Sequence, residues 1–182
     1  MAGRGALITL EGIDGAGKST LADGLLAAVP GLTLLREPGG VAAAERVREL
    51  VKDPALRIDP RAAALLFAAA RDQLVSERLA PLLDDGHDVL LVRFVDSSLA
   101  YQGAGRGLGM DAVAAINAFA TGGLTPDLPL YVRVPPAVGA ARRDGDDRLE
   151  QAGAAFFETI AGAFDRLAAE HPDRIRIVDG TA

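Results

Sequence analysis

The sequence predicts an α/β fold in which a five-stranded parallel sheet carries helices on both faces, and three observations lead there. Short apolar runs alternate with longer Ala/Leu-rich amphipathic stretches along all 182 residues, the βαβ rhythm of a sheet buried on both sides. Glycine and proline mark the exchanges, at Pro38-Gly39-Gly40, at Gly122-Gly123 with Pro126, and at Pro135-Pro136. The chain is 49% hydrophobic and 24% charged but only 4% aromatic, so its core must be filled by Ala, Val, Leu and Ile.

Each element follows in order. Ala6 to Glu11 is an apolar run stopped by an acid and reads as the first strand, with a helix from Lys18 to Val29 behind it. Thr33 to Arg36 and Asp88 to Arg93 read as the second and third strands, separated by helical stretches over Val41 to Val51 and Pro60 to Asp84. A largely helical region runs from Asp96 to Thr121, and Leu130 to Val134 is the fourth strand. Helices over Ala137 to Arg143 and Leu149 to Glu170 precede a fifth strand, Arg174 to Val178. No repeat and no linker interrupts this order, so residues 1–182 are expected to form a single domain.

Composition also excludes. The chain has no cysteine and two histidines, which removes disulfide scaffolds, thiolate metal sites and cysteine nucleophiles. His87 before a strand and His171 at a helix end suit structural places. A net charge of −6 opposes coating of nucleic acid, which needs many basic contacts to phosphate. The longest uncharged stretch, Ala112 to Pro126, holds Asn117 and two glycines and is too short and polar to span a bilayer. The apolar run Ala6 to Leu10 is ended by Glu11 before it reaches secretory length. The expectation is a cytoplasmic protein with neither a nucleic-acid nor a membrane partner.

Gly12-Ile13-Asp14-Gly15-Ala16-Gly17-Lys18-Ser19 has the spacing of a phosphate-binding loop, and it lies between a strand and a helix as that loop requires. Backbone N–H groups and the helix N-terminus then converge on an anion. The glycines permit close approach, Lys18 reaches the transferring phosphoryl from a solvent-facing position, and the Ser19 hydroxyl is placed to ligate Mg²⁺. This is the fold of the P-loop NTPases, three layers with the sheet in the middle. A GTPase would need a guanine-reading Asn-Lys-x-Asp segment, which a chain with only Lys18 and Lys52 lacks. Isolated arginines at strand ends suit instead a transferase that must hold two phosphorylated substrates together.

Five further blocks complete the picture. They are Arg36-Glu37-Pro38-Gly39-Gly40, Phe67-Ala68-Ala69-Ala70-Arg71-Asp72-Gln73, Ala100-Tyr101-Gln102-Gly103 with Gly105-Arg106-Gly107, Thr125-Pro126-Asp127-Leu128, and Asp147-Arg148-Leu149-Glu150. Together with the loop from Glu11 to Thr20 they resemble, in order and over nearly the whole chain, the thymidylate kinase family. The resemblance implies transfer of the γ-phosphoryl of ATP to dTMP, with Mg²⁺ as cofactor, in a nucleoside monophosphate kinase domain that forms a homodimer. It places Phe67 against the thymine ring, although a core phenylalanine is an equal reading of the residue alone. Arg71, at i+4 on the same helix face, would donate to a thymine carbonyl. Arg93 would clamp the acceptor phosphate with help from Arg36, and Glu37 would belong to the same substrate site. Tyr101 would crowd the sugar C2′, Asp14 would accept from the 3′-hydroxyl, and Ser98 and Gln102 would line base and sugar. Gly12 to Thr20 would bind the ATP phosphates, with Arg148 on the nucleotide. A short lid at about 142–150 would carry Arg142 and Arg143 to the transferring phosphoryl, since Gly15 stands where some members carry that arginine in the loop.

The pattern breaks at the third strand. Family members end it Asp-Arg, whereas this chain reads Val92-Arg93-Phe94, so a carboxylate that organises Mg²⁺ and the arginine is missing. Asp96 is the nearest substitute, and it is equally placed to cap the next helix. The family also continues into a further helix beyond the position of Ala182. Two readings stay open here: an active kinase, or a catalytically impaired nucleotide-binding paralogue with a regulatory or interaction role.

Overall fold

The protein is described by a computed structural model over residues 3–142 and 153–181. Its five strands are β1 (Leu7–Glu11), β2 (Thr33–Arg36), β3 (Val89–Val92), β4 (Leu128–Arg133) and β5 (Arg176–Asp179). All pair in parallel, in the order β2-β3-β1-β4-β5. β1 therefore lies at the centre and delivers the phosphate loop to the middle of the carboxyl edge, where ligands of open α/β sheets collect.

β2 falls where expected, and the other strand boundaries move by at most two residues, for local reasons. β4 begins early enough to include Pro129, which pairs with Thr9 of β1, while the register with β5 starts only at Leu130. On the β5 side no partner asks Pro129 for the N–H it lacks. β5 starts late because the backbone N–H groups of Arg174 and Ile175 both donate to the His171 carbonyl and close the preceding turn.

The helices are α1 (Lys18–Ala28), α2 (Ala42–Lys52), α3 (Pro60–Leu74), α4 (Ala80–Asp84), α5 (Val95–Ser98), α6 (Met110–Thr121), α7 (Pro136–Ala141) and α8 (Ala154–Glu170). Asp59 starts α3 by accepting from the Arg61 N–H at 2.9 Å, with Pro60 in the first turn. The expected helix from Pro60 to Asp84 is interrupted by a π turn over Val75–Leu79, just before Pro81 removes one N–H from the ladder. The region from Asp96 to Thr121 is likewise divided. A π turn over Leu99–Gly105 follows α5, and Gly107 and Gly109, both at positive φ, break the chain before α6.

Alternation along the strands sorts the core. Leu7, Val89, Leu91 and Leu35 pack with Leu74, Leu79 and Leu83 under α3 and α4. Ile8, Leu10, Leu90, Val92 and Leu130 face the opposite way, against Ala22 and Leu25 of α1. A third cluster joins Tyr131 and Val132 to Phe157, Ile160, Phe164 and Leu167 of α8. The segment 143–152, with Arg143, Arg148 and nearly all of the expected lid, lies outside the described residues.

Candidate active site

The loop between β1 and α1 is shaped by backbone approach. At Gly12 (φ 137°) a Cβ would stand 2.6 Å from the Val132 carbonyl oxygen, and at Gly15 (φ 77°) it would run into the Gly139 carbonyl at the middle of α7. No side chain fits at position 15, so an arginine in the loop is sterically excluded in this arrangement. Ile13 and Ala16 turn their side chains into the core and offer only backbone outward. Gly17 caps α1 in a left-handed conformation with no side-chain hydrogen bond, leaving the first N–H groups of the helix free for an anion. Ser19 and Thr20 are exposed beside it.

Lys18 departs from expectation. Its side chain does not face solvent: the residue is buried, and Nζ donates to the carbonyls of Gly12 at 3.0 Å and Ile13 at 2.7 Å. Burial and the neighbouring Arg93 charge lower its pKa to about 7, against the pull of Asp14 and Glu11.

Alongside the loop, between β2, β3, α3 and the π turn after α5, opens a cleft of about 210 Å³. Asp14, Glu37, Phe67, Arg71, Arg93, Ser98, Tyr101 and Gln102 all line it, joined by Pro38, Arg48, Lys52 and Ser97. Phe67 is half-buried in this wall and is not part of the buried core clusters. Arg36 does not line the cleft. Its guanidinium is held at the α2 side, by Glu45 at 2.9 and 3.1 Å and the Pro38 carbonyl at 3.1 Å.

Two arginines organise the walls. Arg93 follows β3 at φ 68°, a left-handed conformation that costs a non-glycine residue about 1–2 kcal/mol. Its Nη1 donates to Gly12 O at 3.1 Å and Ser97 Oγ at 3.2 Å, its Nη2 to Asp14 Oδ1 at 2.5 Å, and the guanidinium lies 4.9 Å from the Tyr101 ring centroid. Tyr101 in turn donates to Asp14 Oδ2 at 2.8 Å and accepts from the Asp14 N–H at 3.0 Å. Burial alone would raise the Asp14 carboxyl, but Arg93 and Lys18 outweigh it and hold it below the usual carboxylate range. Arg93 resists deprotonation for the converse reason, Asp14 overcoming the cost of burial.

Arg71 is buried, and each of its three nitrogens is engaged. Nε donates to Glu37 Oε2 at 2.7 Å, Nη1 to Ser98 Oγ at 3.0 Å and to Asn117 Oδ1, and Nη2 to the Phe94 carbonyl at 2.9 Å. Glu37 has its pKa raised by burial, with Arg71 opposing, and its Oε1 is buried without a hydrogen-bond partner among the described residues. A ligand carbonyl would have to exchange with one of these partners to reach Arg71. Asp96, the suggested substitute for the missing carboxylate, is buried and bonded to Arg174 at 3.2 Å. Val92 points with Leu10 toward α1, and the side chain that stabilises the Arg93 charge comes from the loop, as Asp14.

Sequence reasoning missed Asn117, Glu11 and Ser97. Asn117 is an uncharged polar residue inside an Ala-rich helix, and Glu11 a charge at the end of an apolar run; both polarity breaks were visible, but not their partners. Arg142, on the other side of the loop, donates to the Gly180 carbonyl at 2.8 Å near Gly17.

A phosphate loop on the central strand, with an arginine-lined second cleft sharing Arg93 with it, defines a P-loop nucleotide kinase. Comparison with known proteins narrows the class. The thymidylate kinase family model matches residues 10–182, and the chain belongs to that family. It is 47% identical to a thymidylate kinase of Lactobacillus delbrueckii, covering 98% of this chain and 89% of the relative. A thymidylate kinase of Deinococcus radiodurans is 48% identical, with coverage of 98% and 90%. A crystal structure of thymidylate kinase from Ehrlichia chaffeensis superposes with a TM-score of 0.78 at 29% identity, covering 96% of this chain and 89% of that one.

Proposed function

We infer that this chain is a thymidylate kinase, transferring the γ-phosphoryl of ATP to dTMP to give dTDP and ADP. The observation that carries the reading is the position of Arg93, which lines the acceptor cleft and donates to Gly12 of the phosphate loop, so one guanidinium serves both phosphates. Their mutual repulsion is the main obstacle to bringing donor and acceptor together, and fixed positive charge removes it. The attacking atom is a phosphate oxygen, largely dianionic at neutral pH because its second pKa is about 6, and no protein base is required.

The loop from Gly12 to Thr20 binds the donor phosphates through backbone N–H groups, and Lys18 exchanges its two carbonyl partners for phosphoryl oxygens. Ser19 is the protein's ligand for Mg²⁺. The fit rests on its exposed place in the first turn of α1 and on Glu11 and Asp96 being engaged elsewhere, an arrangement suited to an ion that keeps water and phosphate ligands. When bound, the ion neutralises charge on the β- and γ-oxygens. Phe67 stacks on the thymine, with Ser98, Gln102, Glu37 and Arg71 at its edge. Tyr101 and Asp14 meet the sugar, and Arg36 acts from outside the cleft by holding the β2 turn. Lid arginines, Arg142 and Arg143, deliver charge to the transferring group on closure, with Arg148 at the nucleotide.

The single domain acts in the cytoplasm as a homodimer. Among the described residues no helix is long and apolar enough to cross a membrane, and Leu65 of α3 and Phe119 of α6 are exposed, Phe119 by 92%, on helices that pack together. ADP release with a panel of nucleoside monophosphates, ATP and Mg²⁺ tests the assignment. It is expected to be fastest with dTMP and much slower with dCMP or dGMP; equal rates with a purine acceptor would overturn it.

A further inference from the structure

Arg93 stands in an unfavourable backbone conformation, and no aspartate precedes it. Something else must hold the turn. Its own N–H donates to the Leu10 carbonyl at 2.9 Å. The next N–H, that of Phe94, donates at 2.9 Å to Oε1 of Glu11, a residue only 2% exposed at the end of β1. The other oxygen, Oε2, accepts from the Ser97 hydroxyl at 2.5 Å, and that hydroxyl accepts from Arg93 Nη1. One carboxylate thus reaches Arg93 twice, through the backbone on its C-terminal side and through a serine relay to the guanidinium.

We propose that Glu11 is the positioning residue for Arg93, fixing the left-handed turn after β3 and, through Ser97, the direction of the guanidinium. Glu11 does not line the cleft and touches no substrate in this scheme. Its place explains how the turn survives with Val92 in the preceding position. By strand alternation Val92 faces α1 with its register partner Leu10, whereas Glu11, one residue on from Leu10, faces α5. A side chain at position 92 faces away from the hydrogen bonds that Glu11 makes. A charge so deeply enclosed is costly: burial and the Asp96 charge raise the Glu11 carboxyl to about 7, with the Ser97 hydrogen bond, Arg93 and Arg71 opposing. A buried group held at such cost beside a cleft marks function in preference to stability.

The proposal rests on the reading of Arg93 as the acceptor-phosphate ligand, and a double-mutant cycle separates the two. Glu11→Gln, Arg93→Ala and the double variant are compared by kcat/KM for dTMP, by ADP binding and by melting at about pH 8. Arg93→Ala is expected to lose roughly 100-fold or more, and Glu11→Gln roughly 10- to 100-fold. The double variant should lie within about threefold of Arg93→Ala alone, because Glu11 then has nothing to position. ADP binding should stay within twofold, and melting of Glu11→Gln should not fall, since glutamine removes the cost of the buried charge. A folded Glu11→Gln protein within twofold of the parent overturns the proposal, as do losses that multiply in the double variant or a parallel loss of ADP binding. Arg93→Ala without effect would remove the underlying reading and the proposal with it. If Glu11→Gln does not fold, Ser97→Ala, which cuts the relay and leaves the Phe94 bond to Glu11, is put through the same cycle; because Ser97 also lines the cleft, a several-fold loss supports the proposal only where it is absent from the Arg93→Ala background, and parental activity or a loss that persists in that background refutes it.

Discussion

On the acceptor side of the site, Arg71 and Arg93 reach the cleft with their guanidinium nitrogens already engaged by carboxylates, carbonyls and hydroxyls from α5 and from the loops after β1, β2 and β3. On the donor side the walls are backbone: Gly12 against Val132, Gly15 against Gly139, and Gly180 against the Ala16 carbonyl. The difference follows from what each side must recognise. A nucleoside monophosphate presents a base and sugar whose identity matters, and fixed side-chain directions discriminate among them. A triphosphate chain is the same in every nucleotide, and an array of N–H groups with no Cβ in the way is sufficient. The acceptor side therefore stores its order in buried charge, which is costly to leave unpaired, and the donor side in close packing of glycine.

Among the described residues Lys18 is the one charged side chain buried on the donor side, and replacing it gives the largest expected effect. Lys18→Met should lower turnover on the order of 10³-fold or more, read by ADP release. Its stability should not fall, for a reason of sign. The folded pKa is depressed from 10.5 to about 7, so the unfolded chain binds more protons between these values, and in the parent this group makes stability rise with pH across that window. The methionine variant lacks that slope. Melting at about pH 6.5 and about pH 9 checks it; a variant destabilised at both would show Lys18 to be a structural pin.

On the acceptor side, Arg71→Met should leave Glu37 buried without its cation and cost about 3–5 kcal/mol in urea unfolding. Arg71→Met with Glu37→Leu should recover most of that loss while dTMP binding stays weak, because the pair would be exchanged for apolar contact without restoring the base edge. Recovery of dTMP affinity together with stability would contradict the contrast drawn between the two sides.

Val92 lies between them, and its replacement is the mildest of the three. Val92→Asp would set a carboxylate at the half-buried rim of the cluster of Leu10, Leu90 and Ala22, at a cost of about 1–3 kcal/mol. With Arg93 already bound to Asp14 and Glu11 on the opposite face, turnover with dTMP should change by less than about threefold. A rise of about tenfold or more, with only a small drop in melting temperature, would show that Asp14 and Glu11 leave the site under-organised.

Most of the fold was legible because it rests on local patterns. The strand and helix order and the phosphate loop followed from periodicity and spacing within short windows, whereas Phe67, Ser98, Tyr101 and Gln102 were expected in the cleft from the family resemblance. What stayed hidden involved partners distant in the chain. Arg36 was expected at the acceptor phosphate and is drawn instead to Glu45, a competition between two carboxyl-edge environments that strand position alone does not resolve. Lys18 was expected in solvent because a loop lysine usually is; the fold of the loop back over its carbonyls buries it.

The sequence by itself determined that a central strand would hand a phosphate loop to a helix, because spacing, apolar periodicity and glycine conformation act over a few residues. Only the tertiary structure decided which charges meet. Glu11 and Phe94 are 83 residues apart, Arg71 and Asn117 46 apart, Asp14 and Arg93 79 apart. The first and last pairings exist because a parallel sheet brings the ends of non-consecutive strands to one edge, and the second because α3 packs on α6; in each place desolvation makes an unpaired polar or charged group costly and leaves it dependent on the partner the topology supplies.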